Sequence, residues 1–235
     1  MLPAAILAGG LATRLRPLAD RVPKSLLNIA GRPFIFHQLE LLKTQGIRRA
    51  VLCVGHLGEQ IQAAVGDGRT LGLKIEYSFD GSELLGTGGA LRKALPLLGD
   101  EFFVLNGDSY LRCSPAKIHA AYRAARRPLL MTVFRNDGRW GESNVVFKGG
   151  ELIEYDKHAR RPGMPYIDFG LSVCCSDVFS PYGESKVIDL ADICRTLSLQ
   201  GQLAAFEVSE RFYEIGSWQG ILETEELLSR ELDSA

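Results

Sequence analysis

The sequence contains few of the patterns that mark a membrane, secreted or nucleic-acid-binding protein. No apolar run among its 235 residues approaches the length that spans a bilayer, and no basic segment precedes the apolar N-terminal stretch, which disfavours a signal peptide. The net charge is only −1, so there is no basic field to hold nucleic acid. We therefore expect a cytoplasmic protein with neither a membrane nor a nucleic-acid partner, as a monomer or a homodimer.

Metal-site and nucleophile patterns are also lacking. The five cysteines form no Cys-x-x-Cys pair, and none of the four histidines is spaced to complete a zinc site. Reduced structural thiols are the better interpretation, in keeping with the expected compartment. No Ser-His-Asp or Cys-His arrangement is apparent, so nucleophilic catalysis by a side chain is not indicated.

The first half of the chain alternates short apolar runs with amphipathic stretches. Strands are predicted at 3–7, 49–54, 73–79 and 101–106, and helices at 34–44, 57–65, 87–97 and 115–125. This β-α-β-α order is typical of a mainly parallel sheet with helices on both faces. It predicts an α/β fold: a three-layer α/β/α, Rossmann-like domain with a mixed sheet.

The second half adds closely spaced strands. Strands are predicted at 128–136, 143–149, 151–157, 166–175 and 203–208, with helices near 188–199 and from about Gln219. Gly149-Gly150 is a strong signal for a β-hairpin. With no repeat and no linker, the sequence predicts one domain over 1–235, in which residues 128–175 form a small antiparallel, sugar-facing lobe.

A glycine-rich segment directly follows the first predicted strand. Gly9 and Gly10 allow backbone N–H groups to approach an anion, because no Cβ blocks the way. Arg14 and Arg16 could neutralise phosphate, and Lys24 adds a charge on a flexible stem. A plain strand-to-loop turn with a solvated basic face remains the alternative. The pattern is neither the dinucleotide-binding G-x-G-x-x-G nor a Walker P-loop.

Several segments together resemble a known family. LAGGLATRLRP, VPKSLLNIAGRPFI, LLGTGGAL, LNGDSYL, YDK, IDFGLSV and YEIGS occur in the order seen in sugar-1-phosphate nucleotidyltransferases, also called nucleotide-sugar pyrophosphorylases. The chain looks most like the heptose-1-phosphate and mannose-1-phosphate guanylyltransferases. The muramate-1-phosphate uridylyltransferases are similar too. The resemblance implies transfer of a nucleoside monophosphate from a triphosphate to a sugar 1-phosphate, with release of pyrophosphate.

The resemblance also implies site residues. Arg14 and Lys24 are the expected catalytic residues. The nucleotide would contact Leu7, Ala8, Gly9, Gly10, Thr13, Arg14, Glu83, Gly86, Thr87 and Asp108. The sugar phosphate would contact Asn106, Gly141, Asn144, Asp156, Lys157, Asp168 and Gly170, where Asp168 replaces the more usual asparagine. An isolated surface lysine is the bland alternative for Lys157.

Two carboxylates are predicted to hold Mg²⁺. Asp108 follows an apolar strand, at the end where open α/β sheets place ligands. Mg²⁺ prefers one or two carboxylates together with phosphate oxygens and water. The resemblance assigns Glu214 as the second ligand, although related enzymes usually have aspartate there. Asp108 as a cap and Glu214 as a partner of Arg211 are the structural alternatives.

Glu83 leads us to expect GTP rather than UTP. Its acceptor-only carboxylate suits the adjacent N1–H and N2–H donors of guanine. Muramate or N-acetylmuramate uridylyltransferases and glucose-1-phosphate thymidylyl- or uridylyltransferases remain alternatives. A glycosyltransferase would be expected to carry an Asp-x-Asp pair, which Asn106-Gly107-Asp108 does not provide. A non-catalytic nucleotide-sugar sensor would be expected to have lost Arg14, Lys24 or Asp108, and all three are present.

Overall fold

The structure is a computed structural model that describes residues 1–10, 15, 21–158, 163–183 and 187–233. These described residues form thirteen strands. The strands are β1 Ala4–Leu7, β2 Asn28–Ile29, β3 Arg32–Pro33, β4 Arg49–Val54, β5 Lys74–Phe79, β6 Glu101–Asn106, β7 Ser109–Tyr110, β8 Leu129–Arg135, β9 Val145–Lys148, β10 Glu151–Tyr155, β11 Tyr166–Cys175, β12 Leu203–Val208 and β13 Tyr213–Glu214. Nine of these strands form one central sheet.

The central sheet has a parallel half and a mixed half. Strands β6, β1, β4 and β5 lie in that order and run parallel. Strand β11 pairs antiparallel with β6, β8 and β9, while β12 runs parallel to β8. Leu7 lies in register with both Cys53 and Asn106, so the carboxyl ends of three neighbouring strands meet at one edge.

Helices cover both faces of this sheet. They are α1 Phe34–Thr44, α2 Gly58–Val65, α3 Gly86–Leu98, α4 Pro115–Ala125, α5 Leu190–Leu199 and α6 Trp218–Asp233. One buried cluster joins the sheet to α1, α2 and α4, and a second joins its other face to α3 and α5. The predicted three-layer α/β/α fold is therefore confirmed. Helix α6 packs separately, against Ile29, Phe34 and Ile215.

Local chemistry sets several helix ends. Helix α4 begins after Ser114, whose hydroxyl accepts a hydrogen bond from Lys117 N, and Pro115 occupies the first helical position. Helix α2 begins one residue later than predicted because Leu57 has a left-handed φ of 59°. Helix α5 begins at Leu190 rather than near 188 because Asp189 serves as its N-cap.

The predicted hairpin is present. Strands β9 and β10 pair antiparallel across Gly149 and Gly150, whose φ values of 62° and 86° suit a tight two-residue turn. None of the helices in the described ranges combines the length and apolar character that crossing a membrane requires.

Candidate active site

A cleft of about 480 Å³ opens where β1, β4 and β6 end. It brings together many of the residues predicted from the sequence: Leu7, Ala8, Gly9, Gly10, Lys24, Gly86, Thr87, Asn106, Asp108 and Lys157. The meeting of parallel strand ends explains this, because each chain leaves the sheet at the same edge. Thr13 and Arg14 lie outside the described residues, so their assignments stay predictions.

Two glycines allow the loops around the cleft to approach closely. A Cβ on Gly107 would lie 2.9 Å from Leu7 O and 3.0 Å from Ala8 Cβ. Gly107 N donates to Leu7 O at 2.9 Å, which fixes the loop that carries Asp108 against the glycine-rich segment. A Cβ on Gly9 would lie 2.9 Å from Gly55 N. Larger residues at either position would push the two loops apart.

Lys24 and Asp108 form an ion pair inside the cleft. Lys24 Nζ lies 2.5 Å from Asp108 Oδ2, and both side chains are only 23% exposed. Lys24 begins a short 3-10 turn, Lys24–Leu26, and Asp108 follows β6. Residues 84 positions apart in sequence thus place opposite charges together in the cleft.

The carboxylate of Glu214 lies close to the same ion pair. Strands β7 and β13 pair Ser109 with Glu214, and Ile215 N donates to Asp108 O at 2.9 Å. A Cβ built on Gly216 would lie 2.7 Å from Glu214 Oε2 and 3.1 Å from Asp108 Oδ2. The two predicted metal ligands therefore face one small region, which Gly216 keeps open.

The start of α6 fixes the Glu214 side chain. Glu214 Oε2 accepts a hydrogen bond from Gly216 N, and Oε1 accepts one from Ser217 Oγ at 2.5 Å. A Cβ on Gly220 would overlap Glu214 Oε1. Arg211 pairs with Glu223 instead of Glu214, so the structure does not support the alternative partner for Glu214.

Glu83 lies outside this cleft in the structure. It lines an adjacent hollow with Ser82, whereas Asp80 lines both that hollow and the cleft. Asp80 Oδ2 would lie 3.2 Å from a Cβ on Gly55, next to the glycine-rich loop. Burial raises the pKa of Asp80, although the hydrogen bond from Leu85 N and the charge of Lys93 oppose the shift.

Thr87 and Lys157 both line the cleft and both contact Asp189. Thr87 Oγ1 donates to Asp189 Oδ1 at 2.8 Å, and Lys157 Nζ lies 3.4 Å from Asp189 Oδ2. The Thr87 hydroxyl also accepts a hydrogen bond from Leu190 N at 2.8 Å. Thr87 is therefore anchored to the start of α5 through its side chain.

Three of the predicted sugar residues, Asn144, Asp168 and Gly170, lie around a bulge in β11. Asn144 Oδ1 accepts from Asp168 N at 2.9 Å, and Asp168 Oδ1 accepts from Gly170 N at 2.9 Å. Gly170 has a φ of 96°, and a Cβ there would lie 3.7 Å from Asn106 Nδ2. Burial raises the pKa of Asp168 to about 6. This group reaches the cleft through Asn106.

Asp156 and Gly141 do not line the cleft. Asp156 is buried, and its carboxylate accepts hydrogen bonds from His158 N at 2.8 Å and Arg195 Nε at 2.9 Å. Gly141 has a φ of 84°, and its carbonyl oxygen accepts a hydrogen bond from Asn136 Nδ2 at 2.9 Å. Neither contact joins them to Lys157 or Asn106, so their role in sugar binding stays a prediction.

Four residues around the site were not found from the sequence. Asp80 and Ser25 line the cleft. Asp189 accepts a hydrogen bond from the lining residue Thr87, and Gly220 leaves room for the Glu214 side chain. Asp80 had a sequence signal, since it directly follows a predicted strand. Asp189 had one as an N-cap residue three positions before an acidic side chain. Ser25 and Gly220 gave none, because their importance depends on distant neighbours.

The nucleotidyl transferase family matches residues 3–141 of this chain. The D-glycero-alpha-D-manno-heptose 1-phosphate guanylyltransferase of Campylobacter jejuni is 32% identical over 91% of this chain and 94% of its own length. The mannose-1-phosphate guanylyltransferase catalytic subunit beta of Xenopus tropicalis is 39% identical over 91% of this chain and 61% of its own. The N-acetylmuramate alpha-1-phosphate uridylyltransferase of Neisseria meningitidis is 46% identical, over 45% and 46% of the two chains.

Solved structures support the same fold. HddC from Yersinia pseudotuberculosis, complexed with GMP-PN, superposes with a TM-score of 0.80 at 23% identity, over 97% of this chain and 100% of its own. The inositol-1-phosphate CTP transferase from T. maritima gives 0.78 at 22% identity, over 98% and 96%. These structures agree with the fold, and the sequence matches show that the chain belongs to the nucleotidyl transferase family, as a sugar-1-phosphate nucleotidyltransferase.

Proposed function

We propose that this enzyme transfers GMP from GTP to D-glycero-D-manno-heptose 1-phosphate or mannose 1-phosphate and releases pyrophosphate. One observation carries the proposal: a single cleft holds the Gly9-Gly10 loop, Lys24, Asp108 and Lys157. This arrangement suits two phosphate-bearing substrates, because a glycine loop and two ammonium groups surround one space. The product would serve nucleotide-sugar biosynthesis, and we propose cell-surface polysaccharide as its destination.

The chemistry requires little from the protein beyond positioning and charge. An oxygen of the sugar phosphate attacks the α-phosphorus in line, a new P–O bond forms, and the bond to pyrophosphate breaks. The attacking oxygen is already ionised at neutral pH, so no general base is needed. In this proposal Lys24 stabilises charge on the nucleotide phosphates, and Lys157 holds the sugar phosphate. Arg14 is assigned to the triphosphate by its motif.

The carboxylates of Asp108 and Glu214 fit a divalent cation. Their oxygens face one region beside the cleft, and hard carboxylate oxygens are the ligands that Mg²⁺ prefers. In the described ranges no third acidic, histidine or cysteine side chain joins them, so phosphate oxygens and water would complete the shell. When bound, the cation would neutralise charge on the phosphates. Lys24 pairs with Asp108 in this structure, so it would share that carboxylate with the metal.

The proposed preference for guanine is supported by acceptor side chains in and beside the cleft. Asp80 presents a carboxylate to the cleft and Glu83 presents one to the adjacent hollow. Guanine offers adjacent N1–H and N2–H donors to such a group, whereas uracil offers one donor between two acceptors. A mismatch of this kind costs roughly 1–3 kcal/mol. Two of the relatives named above are also guanylyltransferases.

Pyrophosphate release from a matrix of substrates tests the proposal. GTP, UTP, dTTP and CTP would each be paired with heptose, mannose, glucose and N-acetylmuramate 1-phosphates. The proposal expects the highest kcat/KM for GTP with heptose or mannose 1-phosphate. Preferred turnover of UTP with N-acetylmuramate 1-phosphate would establish the uridylyltransferase alternative instead. Binding of a nucleotide sugar without turnover of any pair would favour a sensor.

The sugar-facing lobe, roughly 128–175, is proposed to select the sugar. It contains Asn144 and Asp168, which hydrogen-bond to each other, and Lys157 at the cleft. The choice of nucleoside triphosphate should therefore depend on residues on the opposite side of the cleft. The whole chain, 1–235, is proposed to act as one catalytic domain.

A further inference from the structure

Asp189 lies outside the cleft lining but contacts two residues that form it. It is the N-cap of α5, and its side chain reaches Thr87 on α3 and Lys157, which follows β10. Thr87 belongs to residues 85–88 at the start of α3, called here the nucleotide loop because Gly86 and Thr87 are predicted to contact the nucleotide, whereas Lys157 is the residue proposed for the sugar phosphate. One carboxylate therefore joins the two halves of the proposed active site from behind.

The two oxygens of Asp189 have separate partners. Oδ1 accepts hydrogen bonds from Thr87 Oγ1 at 2.8 Å and from Ala191 N at 3.0 Å. Oδ2 is left for the ammonium of Lys157 at 3.4 Å. The first oxygen thus fixes the carboxylate, and the second meets the cation at the cleft.

The segment around Asp189 is held firmly to the nucleotide loop. Ile188 N donates to Leu85 O at 2.9 Å, and Ile188 O accepts from Gly88 N at 2.8 Å. A Cβ on Gly86 would lie 2.5 Å from Ile188 O, so glycine is required for this close approach. The position of Asp189 is consequently tied to the loop that forms the nucleotide side of the cleft.

An anchor matters for Lys157 because its side chain is long and half exposed. Its side chain is 52% exposed, and it stands on the turn that follows β10. A long, exposed ammonium stem samples many rotamers and loses that freedom when it binds a ligand. Burial alone would raise the pKa of Asp189. The hydrogen bonds from Ala191 N and Thr87 Oγ1, together with the charge of Lys157, hold that pKa below its usual range. Asp189 therefore offers Lys157 a fixed anion.

We propose that Asp189 is a positioning residue, which holds the Lys157 ammonium at the cleft in register with the nucleotide loop. This inference rests on the proposed function, since it assigns Lys157 to the sugar phosphate. The competing explanation is that Asp189 is only the cap of α5 and the anchor of Thr87. The two explanations differ in whether the charge of Asp189 matters, because a cap needs an acceptor oxygen and not a negative charge.

Asp189→Asn separates these explanations. Asparagine can still cap α5 and accept from Thr87, but it cannot form an ion pair with Lys157. We expect KM for the sugar 1-phosphate to rise about three- to fivefold, the scale of one partly exposed ion pair, with KM for the triphosphate unchanged. Asp192→Asn is the matched control, because it makes the same charge change on the same helix at a 65% exposed side chain, whose recorded partner is His158, at 3.8 Å, and not Lys157. An unchanged or lower KM for the sugar 1-phosphate in Asp189→Asn overturns the proposal.

A second measurement uses the protein without substrate. The side-chain ¹⁵Nζ resonance of Lys157, assigned by its loss in Lys157→Arg, reports the environment of the ammonium directly. It should shift in Asp189→Asn and stay in place in Asp192→Asn. If it does not shift, the positioning role fails whatever the activity. If it shifts but the wild-type enzyme releases no pyrophosphate with any substrate pair, the proposed function fails and the Asp189–Lys157 anchor stands.

Discussion

Lys24 Nζ lies 2.5 Å from Asp108 Oδ2, so the residue predicted to act on the phosphates and the residue predicted to bind metal touch each other in the cleft. The contact is intelligible from the fold, since Gly107 brings Asp108 against the glycine-rich loop. It also means that changing either residue alters the environment of the other. Experiments on one must therefore be interpreted with the other in mind.

Lys24→Ala should lower kcat by about a hundredfold or more, because loss of one preorganised contact to transition-state charge costs about 3 kcal/mol. Circular dichroism should be unchanged, since Lys24 is a partly exposed loop residue. Lys117→Ala, at an exposed lysine on α4, is the matched control. Near-normal pyrophosphate release by Lys24→Ala would refute the assignment.

Asp108→Asn should abolish most activity and weaken divalent cation binding. The neutral amide removes one of two charges that face the proposed metal region, and Mg²⁺ depends on carboxylate charge. Activity in a chelator titration and Mn²⁺ affinity by electron paramagnetic resonance give independent readouts. Asp192→Asn serves as the control. Full activity of the wild-type enzyme in excess chelator would contradict the metal requirement.

Gly220→Ala should destabilise the protein and displace the Glu214 carboxylate, because the added methyl overlaps Glu214 Oε1. Overpacking of this kind costs roughly 1–3 kcal/mol. Adding Glu214→Asp should restore part of the lost stability, since the shorter side chain relieves the overlap with the carboxylate but not the 2.5 Å approach to Glu214 O. Gly183→Ala is the control, as a Cβ at Gly183 meets nothing within 4 Å. Equal melting temperatures for Gly220→Ala and Gly183→Ala would show that the contact is unimportant.

Asp80→Asn should reduce the preference for GTP over UTP by about tenfold, whereas Glu83→Gln should change it less. Asp80 lines the cleft and Glu83 lines the adjacent hollow, while both substitutions remove one negative charge. An amide can satisfy only one of the two guanine donors and faces the other with its own N–H. Competition between GTP and UTP for one sugar phosphate measures the ratio. A larger effect from Glu83→Gln would return the base contact to Glu83.

Asp168→Asn should stabilise the protein at neutral pH and have no effect near pH 3. Burial raises the pKa of Asp168 to about 6, above the value of about 3.9 for an unfolded chain. The folded protein thus holds this proton more tightly, and stability from Asp168 is lost as the pH rises through about 6. The gain at pH 8 should be on the order of 1 kcal/mol, reduced by partial solvent access. Melting temperatures that do not converge at low pH would argue against this origin.

The sequence predicted the main helices and strands because their signals are local. Helices α1 and α4 have the predicted bounds, 34–44 and 115–125, and a proline stands at or directly before the first residue of each. The strand-end location of Asp108 followed from the same alternation. Two-residue strands such as β7 and β13 were missed, because two residues carry no period. Yet their pairing brings Glu214 to Asp108.

The sequence predicted those site residues that belong to a local motif, and it did not predict contacts between residues that are far apart along the chain. Lys24 and Asp108 follow conspicuous loops, and both line the cleft. The position of the Glu214 carboxylate depends on the absence of a side chain at Gly220, six residues away on the next helix. The contact of Asp189 with Thr87 spans 102 positions. Such relationships arise from packing and have no pattern along the chain.

Strand β11 runs antiparallel to β6 and carries one of the residues proposed for the sugar. Residues of the parallel half, such as Asp80 and Gly9, are attached to strands that run one way. Asp168 lies on β11, which runs the other way, whereas Asn144 directly precedes β9, which is antiparallel to β11 and therefore runs with the parallel half. On the proposed function, base choice and sugar choice therefore depend on different strands, which are joined by the contacts of Asp189 with Thr87 and Lys157. We expect an exchange of side chains on one of these strands to change the preference for one substrate and to leave the preference for the other unchanged.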